Sequence, residues 1–142
     1  MEKILQKILL IEKKFKKHPG GIEIHHNWTG GLLQHTLEVL NYCKLSWELF
    51  PELSKDLLIT GALLHDIGKL EELAVTSRIK GTNKGQLIGH IVLGSTYVSN
   101  KIDEIGMEDE PKDKILHMIV SHHGRMECPL PKARDRSPCR PQ

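Results

Sequence analysis

Ala62-Leu63-Leu64-His65-Asp66 ends an apolar run with an imidazole and a carboxylate. Burying such a run carries both polar groups inward, where each costs free energy unless it finds a partner. A fold of this chain must therefore bring other groups to His65 and Asp66. The sequence offers them as a series: His35, His90 and the pair His122-His123. Together these residues supply five imidazoles and one carboxylate. That is more nitrogen and oxygen donation than one tetrahedral ion requires. A carboxylate can also bridge two ions, which a single nitrogen cannot.

The spacing of apolar residues predicts helices around these positions. Residues 2–17 read as an amphipathic helix, with Ile4, Leu5, Ile8, Leu9, Ile11 and Phe15 near one face and lysines opposite. Pro19-Gly20-Gly21 ends it. A second helix over about 32–49 carries its apolar spacing on Leu33, Leu37, Leu40 and Phe50, and Pro51 stops it. Ser54 is the expected N-cap of a third, which runs through Leu57, Leu58, Ala62 and Leu64 to His65-Asp66, with Gly68 as its C-terminal breaker. Residues 71–84 have no strong period and read as a loop, with room for a short hairpin. A fourth helix is expected over about 86–104, through Leu87, Ile91, Val98 and Ile102. A fifth begins after Asp109 with Pro111 near its first position, and continues through Ile115, Ile119 and Val120 to His122-His123. Gly124 ends it.

A chain of 142 residues suggests one domain, long enough for a real core. Aromatic residues make up only 4%, so Leu, Ile and Val must build that core. Residues 125–142 differ in kind: they hold four of the seven prolines and little that could be buried, so we expect an irregular Pro/Arg-rich tail. The tail's five basic residues exceed its two acidic ones by three, which leaves −1 for residues 1–124 out of the overall +2. Overall charge therefore says little about the domain's partner. Cys43, Cys128 and Cys139 form no CxxC pair, which fits a reducing, cytoplasmic compartment rather than a disulfide scaffold. No long apolar run marks a signal peptide or a membrane span.

A lone histidine in a helix is most often a surface group, and His122-His123 could simply cap the negative end of a helix dipole. The joint pattern argues for more. His35 falls in the first turns of one helix, His65-Asp66 end another, His90 is early in a third, and His122-His123 end a fourth. A bundle can bring such positions to one site in its core.

These motifs resemble the HD-domain superfamily of metal-dependent phosphohydrolases. The residues that carry the likeness are His35 in Gly30-Gly31-Leu32-Leu33-Gln34-His35-Thr36, His65-Asp66-Ile67-Gly68-Lys69, Gly89-His90-Ile91 and Ser121-His122-His123-Gly124. Within the superfamily the chain is most similar to the HD part of bacterial 3′–5′ exoribonucleases that join an OB-fold to an HD domain. His25-His26-Asn27-Trp28-Thr29-Gly30-Gly31 and Gly85-Gln86-Leu87-Ile88-Gly89-His90 add to that likeness.

The resemblance implies an all-α HD-domain bundle of about five helices over residues 1–124, with a central metal site. It implies that His35, His65 and Asp66 hold one ion, that His90, His122 and His123 hold a second, and that Asp66 bridges. Such ligation suits Mn²⁺, Fe²⁺, Co²⁺ or Ni²⁺, with Mg²⁺ or Zn²⁺ as further candidates. The substrate implied is a nucleotide or the 3′ end of a nucleic acid, with Lys69 and one of His25 and His26 on its phosphate. Asp66 and Lys69 are the expected catalytic residues.

Two departures qualify this. The superfamily usually supplies a last Asp from a later helix, and Asp135, the one Asp of the tail, sits between arginines and near prolines. No OB-fold is expected ahead of the domain. We therefore expect a chain truncated or frameshifted after about Glu127 relative to its relatives, and a homodimer could cover apolar surface left open. The alternatives are a degenerate HD domain that binds metal or nucleotide without turnover, and a helical interaction protein whose histidines are structural.

Overall fold

The computed structural model describes residues 12–22 and 26–124. Its elements, in chain order, are α1 (Glu12–Lys17), α2 (Gly31–Leu49), α3 (Lys55–Leu64), α4 (Lys69–Glu72), β1 (Leu73–Val75), β2 (Ile79–Gly81), α5 (Asn83–Ile88), α6 (His90–Ile105) and α7 (Asp109–Ser121). The architecture is the expected all-α bundle, with one small hairpin. The expected helix over 2–17 is described only from Glu12, and the tail after Gly124 lies outside the described residues, as does His25.

α2 packs against α1 and α3, α7 against α3 and α6, and α4 against α5 and α6. Leu32, Leu64, Ile67, Leu70, Val98, Ile102, Ile115 and Ile119 form the core between them. Each fully buried aliphatic side chain contributes about 1.5–3 kcal/mol relative to exposure. The core runs directly beneath the His65-Asp66 turn, so packing of Leu64 and Ile67 fixes the two polar residues between them.

Local signals explain the helix starts. Ser54 Oγ accepts a hydrogen bond from the Leu57 amide at 3.4 Å and caps α3. Thr82 Oγ1 does the same for α5 through the Gly85 amide at 2.8 Å. β1 and β2 pair antiparallel with Leu73 opposite Gly81 and Val75 opposite Ile79, the short hairpin for which residues 71–84 left room.

Four expectations need correction. Gly68 does not break a helix: its backbone is helical (φ −64°, ψ −19°) and it leads into α4. It is glycine because a Cβ there would lie 1.9 Å from the His90 carbonyl oxygen and 2.6 Å from the Gly94 amide nitrogen. The single helix expected over 86–104 is two, α5 and α6, broken at Gly89, whose φ of 79° and ψ of 154° suit glycine alone. α2 buries Leu32 and Thr36, not Leu37 and Phe50, which are exposed. The Thr36 hydroxyl is satisfied by donating to the Leu32 carbonyl at 2.8 Å. Leu87 and Val120, expected on buried faces, are also exposed. No helix among the described residues is long and apolar enough to cross a membrane.

Candidate metal centre

Three helix termini and one helix face deliver the candidate donors. His35 projects from the second turn of α2, and His65 and Asp66 follow the last residue of α3. His90 opens α6 after the Gly89 break, and His122 and His123 follow α7. All six converge.

Asp66 is at their middle and nearly fully buried. Its Oδ2 lies 3.5 Å from His35 Nε2, 3.4 Å from His65 Nε2 and 2.7 Å from Lys69 Nζ. Its Oδ1 lies 3.5 Å from both His90 Nε2 and His122 Nε2. His65 and His35 place their Nε2 atoms 3.2 Å apart, and His90 and His123 do the same at 3.2 Å. Donors bound to one ion at about 2.1 Å stand about 3.0–3.4 Å apart at octahedral or tetrahedral edges. The observed separations match that spacing.

The outer ring nitrogens decide what the inner ones can do. His65 Nδ1 donates to the Ala62 carbonyl at 2.8 Å, and His122 Nδ1 to the Ile119 carbonyl at 2.6 Å. A carbonyl can only accept, so in the neutral rings both Nε2 atoms carry bare lone pairs. His90 Nδ1 meets Glu72 Oε1 at 3.1 Å, and the same oxygen accepts from the His90 amide at 3.1 Å. Its Nε2 therefore also presents a lone pair. Three lone pairs thus converge on a carboxylate, an arrangement that repels itself unless a cation stands between. Asp66 Oδ1 and His122 Nε2 are buried and have no hydrogen-bond partner among the described residues. A buried group left so costs about 1–3 kcal/mol. The donor set fits divalent metal on both faces of Asp66, as Asp66-His90-His122-His123 and as His35-His65-Asp66.

Electrostatics agree. Burial alone pushes the Asp66 carboxyl up, but the polar and charged groups around it, the Lys69 ammonium on Oδ2 among them, outweigh it and hold the group well below the usual carboxylate range. Burial is the main reason that His35 and His123 titrate below the ordinary imidazole value, which keeps them neutral and able to ligate. Burial pushes the Cys43 thiol up, which disfavours its thiolate. A cavity of about 420 Å³ opens beside the donors, with Val39, Cys43, Ala62 and Met118 as its apolar wall.

His26 reaches the edge of the cluster, where its ring lies tilted with its centroid 5.2 Å from that of His35 and its Nε2 meets Glu38 Oε2 at 3.0 Å. His26, His35 and Glu38 form a third group of potential donors. Three contributors escaped sequence reasoning. Glu38 follows His35 by one turn, a spacing that could have revealed it. Glu72 sits in a segment without periodicity and gave no signal. His18, nearly buried, donates from Nε2 to the Lys69 carbonyl at 2.8 Å and so fixes the backbone of the lysine beside Asp66.

Comparison with known proteins agrees with this geometry. Residues 32–139 match the family described as HD domain. The chain is 36% identical over 121 residues to the 3′-5′ exoribonuclease YhaM of Bacillus subtilis, covering 85% of this chain and 38% of that protein. It is likewise 36% identical over 121 residues to YhaM of a Geobacillus species, covering 85% and 37%. Over 118 residues it is 36% identical to YhaM of Listeria welshimeri, covering 83% and 38%. The chain thus spans less than two-fifths of the length of these relatives. No solved structure matches it.

Proposed function

Since this chain belongs to the HD-domain family, the metal-dependent phosphohydrolases that its motifs resemble, we propose that it hydrolyses a phosphoester of a nucleotide or of the 3′ end of a nucleic acid. The observation that carries this reading is the convergence of imidazole lone pairs on both oxygens of one buried carboxylate. His35, His65 and Asp66 would hold one ion, and Asp66 with His90, His122 and His123 would hold a second. When bound, divalent ions supply Lewis acidity toward the phosphate and make water acidic enough to attack near neutral pH. Mixed nitrogen and oxygen ligation favours Mn²⁺, Fe²⁺, Co²⁺ or Ni²⁺ over Mg²⁺, with Zn²⁺ also compatible.

The chain's own residues do the rest. Nδ1 contacts to Ala62, Glu72 and Ile119 orient three of the imidazoles, as outer contacts of metal ligands do. Lys69 stands at the lip of the cavity with its ammonium on Asp66 Oδ2, where it would neutralise a phosphate oxygen as a point charge. His26, held by Glu38, is the second phosphate contact in this reading. The 3′ end of a nucleic acid as substrate is taken from the relatives' activity. A cytoplasmic location belongs to the same reading.

A rival reading, a domain that binds metal or nucleotide without turnover, shares the donors and differs in rate. Hydrolysis of bis(p-nitrophenyl) phosphate and of oligouridylate with added Mn²⁺ separates them. Turnover that His65→Ala abolishes is expected. Tight nucleotide binding without turnover of any substrate would favour the rival, and His65→Ala with unchanged metal content would favour a purely structural role.

A further inference from the structure

A second cavity, of about 840 Å³, lies between α1 and the hairpin. Lys13, Lys14, Lys17 and Lys84 line it against the single acid Glu71, a local charge of +3 on a domain whose residues 1–124 sum to −1. Two of the four lysines are engaged. Lys14 donates to the Leu70 carbonyl at 2.6 Å, and Lys84 pairs with Glu71. Lys13 and Lys17 are exposed and make no salt bridge among the described residues, so their charge is open to an external anion.

Thr29 is at the rim of this cleft, and the residue before it is Trp28, about half exposed. From Trp28 a series of rings leads inward. Trp28 and His26 have centroids 5.4 Å apart, His26 and His35 5.2 Å, and His35 and His65 5.2 Å. The basic cleft thus comes within one residue of an exposed aromatic ring, and from that ring the series reaches the Asp66 centre. That combination of backbone-tracking cations and a stacking platform suits unpaired bases on a polyanion.

We propose that this surface is a path for single-stranded nucleic acid: the strand's 3′ end lies at Asp66, a base stacks on Trp28, and upstream phosphates rest on Lys13 and Lys17. The inference rests on the proposed action at a 3′ end and adds the route by which a strand reaches it. A duplex has no free base face for Trp28 and is disfavoured. Free nucleotide reaches only the centre and gains nothing from the cleft.

Binding tests the path without metal or turnover. In Trp47→Phe protein with chelator, the fluorescence of Trp28 is titrated with oligouridylate of about eight nucleotides, with UMP and with a duplex of that length. Saturable quenching is expected with the single strand, at an affinity at least tenfold above UMP. Lys13→Glu with Lys17→Glu should weaken it tenfold or more and reduce the slope of log affinity against log salt by about 1.4. Lys44→Glu, at an exposed position on α2, should change affinity less than twofold. With a labelled oligomer read by anisotropy, Trp28→Phe should bind and Trp28→Ala should lose several-fold. Equal binding of UMP or duplex, or a double variant indistinguishable from Lys44→Glu, would overturn the path. A protein that binds as stated yet hydrolyses nothing would defeat the hydrolase reading and leave the path standing. Hydrolysis without these binding effects would do the reverse.

Discussion

Asp66 Oδ2 already has a cation, the Lys69 ammonium at 2.7 Å, whereas Oδ1 has no hydrogen-bond partner among the described residues. The two faces differ in donors as well. Among the described residues, His90, His122 and His123 accompany Oδ1, while His35 and His65 accompany Oδ2. The difference predicts that two ions held by this one carboxylate would bind unequally. On the Oδ1 face an ion relieves two orphaned buried atoms and meets no competitor. On the Oδ2 face it must displace or share with an ammonium. The Oδ1 ion should therefore bind more tightly.

The largest effect should come from removing what the two faces share. Asp66→Asn keeps the shape and deletes the bridging charge. Elemental analysis should find both ions lost, and phosphodiester hydrolysis should fall on the order of a thousandfold. Retention of one ion at wild-type affinity would show that the faces do not depend on a common carboxylate.

Next comes a contrast between the faces. His122→Ala should weaken the tighter Mn²⁺ site at least about 100-fold, while His35→Ala should leave that site within about twofold and affect the weaker one. Calorimetric titration reads both. The opposite ranking would invert the comparison.

How much of this contrast could be read from sequence depends on the kind of cause. The six converging donors were legible from where they fall: His65 and Asp66 end an apolar run, His122 and His123 end a helix before Gly124, and His35 and His90 fall early in theirs. Ser54 was legible as a cap for the same reason. The inequality of the faces was not, because it arises from distance. Lys69 is three residues from Asp66 whichever oxygen it approaches, and only the fold selects Oδ2. Gly68 was misread as a breaker because composition cannot distinguish a turn from close backbone approach. The buried face of α2 was misassigned because Leu33, Leu37 and Leu40 cluster on one side while Leu32 lies at the edge of their arc, so only packing against α1 and α3 chooses Leu32. Glu72 and His18 act on His90 and Lys69 across the fold, at separations no local pattern records.

Gly68 offers a smaller test on the Oδ1 side. Gly68→Ala drives a methyl into the His90 carbonyl, so α6 must move and carry His90 with it. A loss of about 2–3 kcal/mol in urea denaturation is expected, together with a weakened tighter ion. Unchanged stability would mean that α6 yields without cost.

The smallest effect is on pH. His35 and His123 are held below the ordinary imidazole value, chiefly by burial. In the unfolded chain they titrate near about 6.5. As pH falls through that value the unfolded chain takes up protons that the folded chain refuses, so stability declines toward acid. Asp66 acts in the same direction at lower pH, its stabilising ionisation being lost only below the usual carboxylate range. With chelator present, the urea midpoint should be modestly higher at pH 8 than at pH 5.5. A midpoint that rises toward acid would contradict the burial of these groups in neutral form.

Most direct of all is the metal content of the wild-type protein, purified without chelator and titrated with Mn²⁺ under calorimetry. Two ions per chain, the first bound more tightly and lost on His122→Ala, are the expected result. A protein that takes up no divalent ion at any concentration would mean that the lone pairs around Asp66 are not a metal centre.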